Sequence, residues 1–118
     1  MDITSKPPDP VRVLEGETLT LEWTFNVTKT VLQIELSDND PDNRNALVES
    51  FPLLGIAPII RGIFVGRVSV SSTTTNATII LSSSNRIDTA TYFFKVFDIS
   101  GGTDEEPLQI IVQCKYKL

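Results

Sequence analysis

Histidine is absent from this chain, and cysteine occurs once, at Cys114. The first absence removes the side chain that most often moves protons near neutral pH. The second leaves no partner for a disulfide within the chain, so the redox compartment cannot be read from cysteine pairs. A lone thiol in an apolar stretch, with no Gly-rich phosphate loop, gives covalent or phosphoryl chemistry nothing to stand on. The expectation is a protein that binds rather than catalyses, with no cofactor and no small-molecule substrate. A surplus of positive charge is missing too: 10 basic against 15 acidic residues leave a net charge of -5. Neither nucleic acid nor an anionic membrane surface finds an electrostatic footprint here. No apolar run approaches the roughly 18 residues that span a bilayer, and Met1-Asp2-Ile3 has no signal-peptide character. An extracellular reading therefore implies a longer precursor, tied to a membrane only through parts outside this sequence.

What the chain does have is a two-residue period. Its 118 residues are enough for a single core. Leu19, Leu21, Trp23 and Phe25 alternate with Thr18, Thr20, Glu22 and Thr24, which predicts a half-buried antiparallel strand over 17–26. The same period predicts strands at 11–13, 31–37, 46–54, 66–71, 77–83, 88–97 and 108–116, and no helix or internal repeat emerges. In the strand at 31–37 the inward positions are Leu32, Ile34 and Leu36; in the last strand they are Leu108, Ile110, Val112 and Cys114. Lys6-Pro7-Pro8-Asp9-Pro10 cannot sit inside a sheet, so residues 1–10 read as a Pro-rich lead and 11–116 as the folded body. The acidic stretch from Asp98 to Glu106 reads as a flexible loop.

One motif organises the rest. Asp88-x-Ala90-x-Tyr92 leading into Phe93-Phe94-Lys95-Val96-Phe97 resembles the corner and sixth strand of an immunoglobulin variable-type (V-set) domain, where a tyrosine bonds back to the backbone two residues before the second cysteine. Val11-x-Val13 with Gly16-Glu17-Thr18-Leu19 resembles the family's first strands, and about 30 residues between the third strand and Gly66-Arg67-Val68 leave room for the two extra variable-type strands. The resemblance implies an all-β, two-sheet Greek-key sandwich. It also places Trp23 and Phe94 at the two cysteine positions and Ile34 at the core tryptophan position, so the inter-sheet disulfide is lacking. A cross-link closing a loop of about 70 residues contributes on the order of 4 kcal/mol. Two buried aromatics offer roughly 1.5–3 kcal/mol each, plus about 0.5–1.5 if the rings meet edge to face. The fold therefore survives the exchange. Arg67 and Asp88 match the family's ion pair at the lower end of the sandwich.

Recognition is what remains for such a domain to do. Inward Tyr92, Phe94 and Val96 put Phe93, Lys95 and Phe97 on the outer face of their sheet, joined by Gln33, Glu35, Gln109 and Ile111. Two exposed phenylalanines beside an isoleucine make an apolar patch with a charged fringe, the composition of a protein interface. Asn26-Val27-Thr28 and Asn76-Ala77-Thr78 are glycosylation acceptors, expected at the loop tip. Asp38, Asp40, Asp42 and Glu49 fall at positions one, three, five and twelve of an EF-hand calcium loop. Asn43 replaces its glycine, though, and strands replace its helices, so the loop reads as a solvated turn and no metal is assigned.

The apolar disulfide positions together with Tyr92-Phe93-Phe94-Lys95-Val96 further resemble the amino-terminal ectodomain of the allorecognition (Alr) proteins of colonial hydroids. That resemblance implies a single-pass cell-surface receptor binding another copy of itself on an opposing cell, with Cys114 paired elsewhere or buried as a thiol. Two other readings stay open: a heterophilic immune-type receptor domain that binds an unrelated ligand, and a structural immunoglobulin module inside the cell, where absent disulfides are natural.

Overall fold

The computed structural model describes residues 2–26, 30–39 and 44–114. Among the described residues ten strands form two sheets, and the only helical elements are two short 3₁₀ turns, Gly62–Phe64 and Arg86–Asp88. The four-stranded sheet contains β1 (Asp2–Ser5), β3 (Leu19–Asn26), β8 (Asn76–Leu81) and β7 (Val68–Ser72), in that order. The six-stranded sheet runs β2 (Val11–Leu14), β10 (Thr103–Gln113), β9 (Ala90–Asp98), β4 (Val31–Ser37), β5 (Ala46–Ser50) and β6 (Ile59–Ile60). This is the immunoglobulin variable-type sandwich, with β5 and β6 as its two extra strands.

Alternation builds the core. In β3 every second residue is buried, from Leu19 through Phe25, and in β9 Tyr92, Phe94 and Val96 are almost completely enclosed. Trp23 and Phe94 meet between the sheets with ring centroids 4.1 Å apart and planes 6° from parallel. The rings stack flat rather than edge to face. Ala77 lies directly across from Trp23 on β8, and so small a neighbour leaves the indole the width it needs. Ile34 is fully buried on β4.

Several expectations need correction. The sandwich begins before Val11: Asp2–Ser5 pairs with β3, and only then do the prolines carry the chain across to β2, which lies parallel to β10. Pro7 is buried at that crossing, and Asp9 accepts a 2.9 Å hydrogen bond from the Gln109 amide. Leu32 points outward and is 38% exposed, because an irregularity between Val31 and Gln33 shifts the pleat and buries Val31 instead. The strand at 46–54 stops at Ser50, where residues 52–55 turn before β6.

The last correction concerns the end of the sheet. β10 starts at Thr103 rather than Leu108, so Glu105 and Glu106 belong to a strand. Only Ile99 to Gly102 is left as a turn. The Asp98 carboxylate organises it, accepting from the amides of Ser100 (2.8 Å) and Gly102 (2.9 Å) and from the Ser100 hydroxyl. Gly101 adopts φ +89°, and a Cβ on Gly102 would sit 2.4 Å from the Asp98 carboxylate, so both glycines are required. At the other end of β10, Cys114 lies just past the strand and is exposed, not inward. Tyr116 falls outside the described residues.

Candidate functional site: the outer face of the six-stranded sheet

Strand register decides which side chains share this face. Glu49, Glu35, Lys95 and Glu105 are direct cross-strand partners on β5, β4, β9 and β10, so they form one continuous row across four strands. The outer two charges are neutralised within the chain. Arg61 reaches Glu49 at 2.6 Å and Arg44 reaches Glu105 at 2.7 Å. The inner two are not: among the described residues neither Glu35 nor Lys95 forms an ion pair. Burial beneath the row pushes the Glu35 carboxyl above its ordinary pKa, with Glu49 adding to the rise, Lys95 opposing it, and Glu105 and Arg61 having smaller opposite effects.

The flanking rows are aromatic. Phe93 lies between Ser37 and Pro107, and Phe97 between Gln33 and Thr103. Both rings are half-buried, and the reason is cationic cover. The Arg44 guanidinium sits 3.6 Å above the Phe93 ring centroid and the Lys95 ammonium 5.0 Å from that of Phe97. The anticipated bare apolar patch is therefore a capped one. Gln33 donates to Glu49 at 3.3 Å. Gln109 and Ile111 share the face but lie farther along β10, where they pair with Thr91 and Arg12, roughly 13 Å or more from the charged row at a strand rise of about 3.3 Å per residue.

Most of the exposed large apolar side chains lie in the segment that carries β6: Leu53, Leu54, Ile56, Ile59, Ile63 and Val65, with Ile59 directly across from Glu49; Leu32 on β4, Leu14, Ile87 and Ile99 are exposed as well. Four contributors were not assigned to this face from the sequence: Arg44, Glu49, Arg61 and Glu105. Alternation along 46–50 contains the signal for Glu49. Glu105 was hidden by its assignment to a loop.

The remaining selected residues support the face from behind. Arg67 grips Asp88 with both terminal nitrogens, at 2.8 and 2.7 Å, and also donates to the Ile63 and Ser83 carbonyls. Its Asp88 bonds hold the guanidinium pKa above its usual value. Tyr92 donates its hydroxyl to the Asp88 carbonyl at 2.7 Å, and burial drives that phenol upward. Asn26, the last residue of β3, and Asn76, the first of β8 at the 73–76 turn, stand exposed at one end of the other sheet. Asn76 pairs with Thr24, two residues from Asn26; Val27 and Thr28 lie outside the described residues. So do Asp40, Asp42 and Asn43 of the acidic loop. Asp38 instead accepts from the Asn45 amide and side chain, at 2.8 and 3.0 Å.

No protein-family model matches the chain, and no curated protein matches it. Solved structures do match in shape. A chain from the work on T cell specificity and activation by the bacterial superantigen toxic shock syndrome toxin-1 superposes with a TM-score of 0.76 at 15% identity, over 95% of this chain and 100% of that one. The extracellular domain of the voltage-gated sodium channel beta4 subunit superposes with a TM-score of 0.71 at 18% identity, over 98% and 99%. At such identities the likeness establishes the immunoglobulin-like fold.

Proposed function

We propose that this chain is an extracellular recognition domain, not an enzyme, and that it binds a second copy of itself through the outer face of the six-stranded sheet. The observation that carries this reading is the contrast between the two outer faces. One presents aromatic rings, paired charges and an exposed apolar edge. The other presents Thr20, Glu22, Thr24, Ser69 and Ser71 together with both sequon asparagines, so glycans placed there leave the first face open. The beta4 extracellular domain of like shape forms parallel homodimers that explain its role in cell-cell adhesion, and a comparable use is proposed here. The narrower use, discrimination of self from non-self between opposing cells by a single-pass receptor of the Alr kind, rests on the resemblance of the β9 segment and the apolar disulfide positions. A heterophilic receptor is the competing reading, and it requires a strictly monomeric domain.

Beads carrying the domain, made in a secretory host, test the proposal. Wild-type beads should aggregate. Gln109→Asn combined with Ile111→Thr creates an Asn-Ile-Thr sequon on the face while leaving the charged row intact, and its glycan should abolish aggregation. Removing both native sequons with Asn26→Gln and Asn76→Gln should not. Wild-type beads that stay dispersed, or aggregation indifferent to the new glycan, would overturn the proposal.

A further inference from the structure

We propose that two copies stack their six-stranded sheets about a two-fold axis running along the strands between β4 and β9, so that Glu35 of each copy meets Lys95 of the other. This rests on the self-association proposed above and adds its orientation. A closed pair of identical chains uses one patch twice, related by a two-fold. For sheets stacked face to face with their strands aligned, that axis runs either along the strands or across them.

The charged row distinguishes the two. Its order is Glu49, Glu35, Lys95, Glu105. An axis along the strands reverses the row, setting Glu35 over Lys95 and Lys95 over Glu35, the two charges of the row that form no ion pair among the described residues. Glu49 then faces Glu105, but each already carries its own arginine. An axis across the strands keeps the row in order and sets Glu35 on Glu35 and Lys95 on Lys95. Like charges so placed in a drying interface oppose association. The aromatic gain of that second arrangement, Phe93 over Phe97, is blunted because cations already cover both rings.

The central contact tolerates the twist of real sheets. Neighbouring strands lie about 4.8 Å apart, so Glu35 and Lys95 sit about 2.4 Å to either side of the axis, and a sheet rotation of about 30° moves each by only about 1 Å. The second copy's ammonium also opposes the rise of the Glu35 carboxyl, which is raised first by burial and then by Glu49. In this pair both β10 strands run in the same direction.

Sedimentation equilibrium on the folded domain tests the orientation. Glu35→Lys and Lys95→Glu should each weaken self-association by at least about tenfold, since each places two like-charge contacts at the centre. The double variant E35K/K95E should return to within about threefold of wild type, and an equimolar mixture of the two single variants should form a mixed pair. Glu35→Gln and Lys95→Gln, which carry no reversed charge, should weaken association less than the reversals. Single reversals that leave the constant unchanged, or a double variant as weak as the singles, would refute the axis while leaving face-directed self-association standing. A wild-type domain that stays monomeric at millimolar concentration refutes both.

Discussion

Replacing Phe94 with alanine tests the substitution of two stacked rings for a disulfide. Phe94 is fully buried and Trp23 is 1% exposed, with 4.1 Å between ring centroids. Truncating a buried phenylalanine costs about 3–5 kcal/mol, less where the surroundings can close over the gap. Here they cannot close easily. β9 is hydrogen-bonded between β4 and β10, and β3 between β1 and β8, so both walls of the cavity are held from both sides. We therefore expect the upper half of that range, about 4–5 kcal/mol, which at about 4 °C per kcal/mol for a domain of this size lowers Tm by about 16–20 °C. Urea unfolding followed by circular dichroism measures it. A double-mutant cycle of Phe94→Leu with Trp23→Leu isolates the ring contact, expected at about 0.5–1.5 kcal/mol of coupling. A loss below about 1 kcal/mol for Phe94→Ala, or strict additivity in the cycle, would refute the idea that this contact holds the sheets together.

Two further outcomes follow from the electrostatics. Arg67→Ala strands a fully buried Asp88 carboxylate and should cost about 3–5 kcal/mol in thermal or urea unfolding, with part regained in Arg67→Ala/Asp88→Asn; a cost near that of an exposed pair, below about 1 kcal/mol, contradicts the argument. Glu35→Gln should stabilise the isolated fold yet weaken self-association. The Glu35 carboxyl is raised by burial and by Glu49 and Glu105, against Lys95 and Arg61, so its charged form is disfavoured on folding. Its contribution is most favourable below the ordinary carboxylate pKa and is lost as pH rises through the raised value. The stabilising effect of glutamine should accordingly be present at about pH 7 and vanish by about pH 3, when the carboxyl is protonated in both states. Thermal melts of the monomer at the two pH values decide it, and a destabilised variant at neutral pH would contradict the assignment.

Much of the fold was legible because the pleat writes itself into β3 and β9 with hardly an interruption. Legibility failed where the period breaks. The irregularity beside Val31 exchanges Val31 for Leu32 in the core, a one-residue shift that alternation cannot announce in advance. β1 was obscured by the prolines that follow it, and the beginning of β10 by Asp104, Glu105, Glu106 and Pro107, whose composition suits a loop. Pro107 is tolerated there because β2 pairs with β10 only from Ile110 to Gln113, so at Pro107 the strand has a ladder neighbour on β9 alone. The candidate face was legible in its middle strands and hidden at its flanks. Arg44 and Arg61 lie far apart in sequence from the residues they touch, and only the closing of the sheet brings them to Phe93, Glu105 and Glu49.

What this face presents is decided behind it. Asp88 is held by five polar contacts: two from Arg67, one from the Asn85 amide to its carboxylate, its own amide to the Asn85 carbonyl, and the Tyr92 hydroxyl to its carbonyl. Those bonds fix where β9 begins. Two residues beyond Tyr92, the Phe94 ring is stacked on Trp23, which fixes the strand again at its middle. A strand pinned at two inward positions on the same face cannot slip by one residue without turning Lys95 into the core and Phe94 out to solvent. The charge of Lys95 makes that slip costly in its own right. The outward order of Phe93, Lys95 and Phe97 is thus set by interior contacts that no partner touches. Under the proposed self-association, surface substitutions on this face would therefore change what is recognised without changing which positions face the partner.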